Sequence, residues 1–235
     1  MCPYDTWPAA TVSFCEARLC DAVREPSNAW SSAAYVVAGI LLLLRPHGPA
    51  RDQARAIGLT TFFVGFGSFF FHMTASFVGE VVDLSTMYLV SGLMLSLELN
   101  RFLKLERRRF IWLYCALVVL PIGLVVWLRS VGIALFAAQI GTTVVLLHLE
   151  PRLLPGTDYR PMYWLQGTYA FASLIWLGDQ TGRLCAPANH VFTGHAMWHV
   201  LGATCMVIFA AHRHACEATV PARASVDPGG AAELS

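Results

Sequence analysis

Charged side chains are scarce in this sequence. Only 13% of its 235 residues are Asp, Glu, Lys or Arg, whereas soluble domains usually contain about 25%. The net charge is +1, so no excess of cations is available to bind nucleic acid. Seven cysteines are too few for a secreted disulfide scaffold. With 56% hydrophobic residues and a mean hydropathy of +0.55, a disordered chain is also excluded, and the remaining class is a membrane protein.

Seven apolar stretches are long enough to cross a bilayer, which takes roughly 20 residues. They cover residues 28–44, 58–78, 83–99, 110–128, 131–148, 162–178 and 191–211. Residues 1–24 lack the apolar segment of a cleavable signal peptide. We therefore predict an all-α integral membrane bundle of seven transmembrane helices over 28–211. An N-terminal segment (1–27) precedes it, and a disordered tail (212–235) follows.

The positions of the cations predict the orientation of this bundle. Cytoplasmic loops of membrane proteins are enriched in Lys and Arg. With the N-terminus outside, only Arg18, Arg24, Arg129 and Arg183 lie on the outer side, which leaves 12 of the 16 cations in the cytoplasm. We predict an extracytoplasmic N-terminus and a cytoplasmic C-terminus. The host membrane stays open between a bacterial inner membrane and an ER or Golgi membrane.

A few polar residues lie within the predicted spans, where a charged group costs about 2.5–3.5 kcal/mol to insert. They are Ser68 and His72 in span two, Asp83 at the start of span three, and His195 and His199 in span seven. In the predicted orientation all five lie toward the outer ends of their helices. We therefore expect them to meet in one pocket near the extracytoplasmic face.

The spacing of these residues indicates a metal site. Ser68 and His72 are four residues apart, as are His195 and His199, so each pair shares one helix face. Two imidazoles one turn apart can bind one metal ion, and a third leaves one position open for water, which is typical of catalytic zinc. Each element alone has an ordinary explanation, namely packing, a serine bonded to its own helix, or an N-terminal helix charge. Their joint occurrence at one depth favours a site.

Three cysteines, Cys15, Cys20 and Cys185, lie on the predicted outer side, which is oxidising in most compartments. We expect a disulfide between the N-terminal segment and the loop before span seven. Such a bond would fasten the segment over the polar cluster.

The same residues resemble the alkaline ceramidase family. That family belongs to a superfamily with the adiponectin-type receptors and the lipid-remodelling hydrolases of GPI anchors. The matching motifs are Gly-Phe-Gly-Ser68-Phe-Phe-Phe-His72, Asp83, His195-Ala-Met-Trp-His199, Phe-Cys15-Glu16, Glu25-Pro-Ser-Asn28-Ala-Trp-Ser-Ser and Trp176-Leu-Gly-Asp179. The resemblance extends over nearly the whole chain, to about Ala211.

The resemblance implies a zinc-dependent hydrolase that cleaves the amide of ceramide-like membrane lipids to a sphingoid base and a fatty acid. His72, His195 and His199 would hold zinc. Asp83 would orient or deprotonate the attacking water, and Ser68 would steady the substrate carbonyl. Two alternatives stay open: a zinc-dependent lipid esterase or phospholipase, and a non-catalytic receptor-like or transport protein.

The resemblance also implies a calcium site in the N-terminal segment, with Glu16 and Glu25 as ligands. Here the match is partial, because Ser13 stands where the family has Asp and Arg18 where it has Asn. By the same resemblance, the expected disulfide joins Cys15 to Cys185, with Cys20 as the competing partner. The oligomeric state stays open.

Overall fold

The structure, a computed structural model, describes residues 1–44 and 48–219. Within these residues the regular structure is helical, apart from an isolated bridge between Ala9 and Ser76. The helices are α1 (Pro26–Ser31), α2 (Ala33–Leu44), α3 (Arg51–Thr74), α4 (Phe77–Leu103), α5 (Arg107–Leu128), α6 (Gly132–Leu153), α7 (Arg160–Gln180) and α8 (Gly194–Ala218). A short 3-10 turn, Arg129–Val131, joins α5 to α6.

Five stretches of the described chain are long and apolar enough to cross a membrane. They are Pro26–Leu44, Arg51–Thr74, Phe77–Leu103, Arg107–Leu153 and Gly194–Ala218. Large apolar side chains on the bundle surface face outward, including Trp112 (66% exposed), Leu120 (64%) and Leu174 (66%). Such a surface suits contact with lipid rather than water. The chain is therefore an all-helical, multi-pass membrane protein.

The turn between α3 and α4 differs from the prediction. The second span was expected to run to residue 78, but α3 ends at Thr74 because Ala75 adopts a left-handed conformation, with φ +48°. Ser76 then caps α4, and its side chain accepts a hydrogen bond from the Gly79 N–H at 3.1 Å. Asp83 consequently lies in the second turn of α4 and does not open the helix.

The last helix is longer than predicted. It was expected to end at residue 211, yet α8 continues to Ala218, so residues 212–218 do not belong to a disordered tail. The physical reason is burial: His212 and Arg213 lie in the interior and contact the carboxylates of Glu150 (3.0 Å) and Glu98 (3.2 Å). The rest of the predicted tail, 220–235, lies outside the described residues.

Helix packing brings the beginnings of α1, α4 and α8 and the end of α3 to one end of the bundle. Helix α3 packs against α1, α2, α4 and α8. Gly39 permits the close approach of α2 to α3, because a Cβ there would lie 2.7 Å from the Phe62 backbone nitrogen. By contrast, α6 and α7 are not among the helix pairs that pack closely in the described chain.

Candidate metal centre

Three buried histidines meet at this end of the bundle. His72 lies in the last turn of α3, and His195 and His199 lie in the first two turns of α8. The Nε2 atoms of His72 and His195 are 3.1 Å apart, and one nitrogen from each of the three rings lies within 4.8 Å of the others. Two nitrogens on one tetrahedral zinc are about 3.3 Å apart, given zinc–nitrogen bonds of about 2.05 Å. The three imidazoles therefore fit a zinc ion.

The second ring nitrogens of this His72–His195–His199 cluster have distinct partners. His72 Nδ1 lies 2.7 Å from Glu25 Oε2, and His199 Nδ1 lies 2.8 Å from Ser31 Oγ. His195 Nδ1 has no hydrogen-bond partner among the described residues. Partners of this kind fix the ring of a metal-ligating histidine and leave Nε2 for the metal.

Glu25 connects the cluster to the N-terminal segment. Its side chain is 2% exposed, and its other oxygen, Oε1, lies 3.3 Å from Arg18 Nε. Burial by itself raises the pKa of the Glu25 carboxyl, but the hydrogen bond with His72 and the charge of Arg18 outweigh burial and lower the pKa. Glu25 is therefore ionised near neutral pH and accepts a hydrogen bond from His72 Nδ1.

Ser68 and Asp83 lie beside the histidines, as the predicted site requires. Ser68 Oγ accepts a hydrogen bond from Ser32 Oγ at 3.0 Å and lies 3.3 Å from His199 Nε2. Asp83 is partly exposed, and its Oδ1 has no hydrogen-bond partner among the described residues. Ser68, Asp83, His195 and His199 line the same cavity, so the structure brings these residues from three helices together.

This cavity is about 350 Å³ in volume and extends from the histidines into the apolar interior. Its walls are mainly hydrophobic. Typical lining residues are Phe71, Leu84, Met94, Leu147, Leu165 and Trp198. A second cavity adjoins it between α6 and α7, and Ile140, Val144 and Tyr169 line both. A long apolar chain fits such a space, with its polar end at the histidines.

The N-terminal segment covers the cluster. The Phe14 ring stacks on His195 at 3.7 Å, and Cys15 forms a disulfide with Cys185. Cys20, the competing partner, pairs instead with Cys2. The Asp179 carboxylate accepts hydrogen bonds from the backbone N–H groups of Cys15 and His195, both at 3.2 Å. Segment, α7 and α8 are thus joined beside the site.

The calcium expectation does not fit this geometry. The two oxygens of Glu16 accept hydrogen bonds from the backbone N–H groups of Ser27 (2.8 Å) and Asn28 (2.9 Å) at the start of α1. Glu25 contacts a histidine and the Arg18 guanidinium. Calcium needs six to eight oxygen ligands, and a guanidinium next to it is unfavourable. The two carboxylates are already satisfied by the protein.

Glu80 is a further acidic residue at the cavity, and it was not among the predicted site residues. Its carboxylate accepts hydrogen bonds from the backbone N–H (2.6 Å) and the hydroxyl of Thr11. Glu80 precedes Asp83 by three residues, so the two share a helix face. The three-residue spacing from Asp83 was the sequence signal that could have identified Glu80. Its contact shows that Glu80 fastens the N-terminal segment to α4.

A second group of possible metal ligands lies at the opposite end of the bundle. It consists of Glu150, His212 and Cys216. Glu150 Oε1 lies 2.6 Å from Arg101 Nε, and Arg213 contacts Glu98 at 3.2 Å. Arg101 and His212 are the partners of Glu150, so these contacts explain the cluster without a metal. His212 and Cys216 are four residues apart on α8, but Glu150 comes from α6, so the sequence spacing indicates only part of this cluster.

Comparisons with known proteins agree with this architecture. A family model described as Ceramidase matches residues 7–225. The mouse protein "Alkaline ceramidase 1" is 24% identical over 209 residues, which cover 83% of this chain and 76% of the mouse protein. The human protein of the same name is 26% identical over 209 residues, with 83% and 78% covered.

The fold and the site together define a multi-pass helical membrane protein with a buried three-histidine cluster above an apolar cavity. The match to the Ceramidase family model covers most of the length of this chain. The chain belongs to the Ceramidase family.

Proposed function

We propose that this protein is a zinc-dependent amide hydrolase that cleaves ceramide-like lipids to a sphingoid base and a free fatty acid. The observation that carries the proposal is the position of His72, His195 and His199, three buried imidazoles at the polar end of an apolar cavity. Family membership and the two alkaline ceramidase relatives support the same substrate class.

The cavity residues have distinct roles in this proposal. When bound, zinc supplies an acidified water and polarises the amide carbonyl. The Asp83 carboxylate accepts the proton of the attacking water and delivers it to the departing amine nitrogen. The Ser68 hydroxyl donates a hydrogen bond to the carbonyl oxygen as negative charge develops there. Phe14 and the N-terminal segment exclude bulk water from above.

We further propose seven membrane spans, with the N-terminus outside and the site near the extracytoplasmic face. Arg107–Leu153 has 47 residues, more than twice the length one span requires, and the turn at Arg129–Val131 divides it. Helix α7 has 21 residues, or about 31 Å, which is sufficient for the predicted sixth span and completes the seven. Labelling of single cysteines at residues 10 and 156 with an impermeant reagent tests the orientation: residue 10 reacts from outside, and residue 156 does not.

Lipid substrate enters laterally between α6 and α7 in this account. These two helices leave the adjoining cavity between them, and Ile140, Val144 and Tyr169 connect it to the histidine cavity. A ceramide-like lipid has its amide close to the headgroup level and its chains in the hydrocarbon. Lateral entry brings the amide to the histidines without withdrawing the chains from apolar surroundings.

The test combines metal analysis with a lipid panel. Purified protein should contain about one zinc per chain and release fatty acid from ceramide, as detected by mass spectrometry. His199→Ala should lose both zinc and activity. Cleavage of phospholipid with ceramide untouched would favour the esterase or phospholipase alternative. Absence of zinc, with every lipid intact, would favour a non-catalytic protein.

A further inference from the structure

One arginine of the N-terminal segment reaches the interior beside the metal centre. Arg18 Nε lies 3.3 Å from Glu25 Oε1, and a second guanidinium nitrogen lies 3.5 Å from the Val12 carbonyl oxygen. The Arg18 side chain is 32% exposed, whereas Glu25 is 2% exposed. The partly exposed Arg18 side chain therefore extends inward to the buried Glu25 carboxylate.

Glu25 needs a compensating positive charge at this position. A histidine that ligates a metal through Nε2 is itself neutral, so His72 donates a hydrogen bond to Glu25, and the charge of the metal lies on the far side of the imidazole ring. A buried carboxylate without a cation is costly. The other nearby cation of the segment, Arg24, is paired with Asp5 at 3.4 Å. Arg18 is therefore the cation that pairs with Glu25.

Arg18 is also one of the positions at which this chain departs from the calcium-site pattern of the family. Arg18 stands where the resemblance expects a neutral calcium ligand, and it contacts Glu25, one of the two expected acidic ligands. The other, Glu16, has both oxygens bonded to backbone N–H groups of α1 and lies 3.0 Å from His190 Nδ1. The chain thus satisfies both carboxylates with its own donors.

We propose that the Arg18 guanidinium is a built-in substitute for a calcium ion. It neutralises Glu25, Glu25 holds the His72 ring, and the metal centre is thereby independent of calcium. Arg18 is a positioning residue, because it acts through Glu25 and does not touch the reacting atoms. This inference rests on the proposed function, since it assigns His72 to the zinc site.

The first test is calcium titration of the purified, zinc-loaded protein in detergent. The wild-type protein should give no binding heat by calorimetry and no rise in melting temperature with millimolar calcium chloride. Saturable calcium binding that raises the melting temperature would overturn the inference. This measurement needs no variant, so it decides the matter even where substitutions impair folding.

The second test is the zinc affinity of Arg18→Gln, measured by competition with a chromophoric chelator. Loss of a group that supports a metal ligand typically weakens metal binding 10- to 100-fold, and a weakening of about tenfold or more is expected here. Arg18→Lys retains the charge and should recover most of the affinity. Arg24→Gln is the matched control, because it removes an arginine of the same segment that pairs with Asp5 and does not contact Glu25.

The outcomes separate this inference from the proposed function. If wild-type protein binds zinc and Arg18→Gln binds it equally well, the role of Arg18 is wrong and the hydrolase proposal stands. If wild-type protein binds no zinc at all, the proposed function fails first. Equal weakening in Arg18→Gln and Arg24→Gln would also contradict the inference, because it indicates general loss of the segment.

Discussion

At the scale of single residues, the hydroxyl of Ser68 has the most direct proposed role after the histidines. Ser68→Ala should lower kcat by about 10²- to 10³-fold, the usual effect of removing one donor to a developing oxyanion. KM and zinc content should change little. Steady-state kinetics on ceramide together with metal analysis measures all three.

The control for Ser68→Ala is Ser85→Ala. Ser85 is also a helical serine, but its hydroxyl donates to the Val81 carbonyl of its own helix at 2.6 Å. This variant should keep near wild-type kcat. Equal rates for the two variants would contradict the role of Ser68.

Residue identities at the site were predictable where helical spacing carried the information. Ser68–His72 and His195–His199 each share a face four residues apart, and the scarcity of other polar groups in the spans made them conspicuous. The partnership of Glu25 with His72 was not predictable, because it joins residues 47 positions apart through tertiary structure.

At the scale of helices, the contact between α2 and α8 depends on Gly202. A Cβ at this position would overlap the hydroxyl oxygen of Tyr35. Gly202→Ala should therefore force the helices apart and destabilise the protein by about 1–3 kcal/mol. Thermal unfolding in detergent measures the effect, and adding Tyr35→Phe should restore part of the stability.

Gly123→Ala on α5 is the matched control for that experiment. Among the described residues, no atom beyond its own turn of helix lies within 4 Å of the place that an alanine methyl would occupy. This variant should leave the melting temperature unchanged or slightly higher, because Ala favours helix. A Gly202→Ala variant as stable as Gly123→Ala would exclude the proposed overlap.

A second prediction at this scale concerns the ion pairs that hold the end of α8. Arg213→Met leaves Glu98 buried without its partner, which should cost about 3–5 kcal/mol. Arg160→Met, at an exposed position, should cost little. Melting temperatures compare the two. The double variant Arg213→Met with Glu98→Leu should regain stability, and failure to regain it would show that the pair is not the cause.

Helix existence was predictable from apolar length, but helix ends were not. The α3–α4 turn depends on Ala75 in a left-handed conformation. Alanine rarely adopts this conformation, so the sequence does not predict the turn. The extension of α8 to Ala218 depends on partners from α4 and α6, which only the assembled bundle supplies.

At the scale of the whole molecule, the Cys15–Cys185 disulfide joins the N-terminal segment to the loop before α8 across 170 residues. Replacing both cysteines by alanine should lower the melting temperature and speed zinc loss, because the segment that covers the histidines is then held only by weaker contacts. Removing Cys2 and Cys20, which are 18 residues apart, should have a smaller effect on both. Similar zinc-release rates for the two double variants would contradict this.

The class of protein was predictable from composition, because few soluble folds tolerate 13% charge and 56% apolar residues. The same scarcity of charge marked the histidine end of the bundle. It did not reveal the ion pairs at the other end, because oppositely charged residues that come together from α4, α6 and α8 leave no imprint on net charge.

The central claim is that the three-histidine site hydrolyses an amide. It is tested most directly by incubating the zinc-loaded protein with ceramide in water enriched in ¹⁸O and analysing the products by mass spectrometry. We predict that the released fatty acid carries one ¹⁸O atom, that the sphingoid base carries none, and that His199→Ala releases neither product. Unchanged ceramide, or release that persists in His199→Ala, would contradict the account.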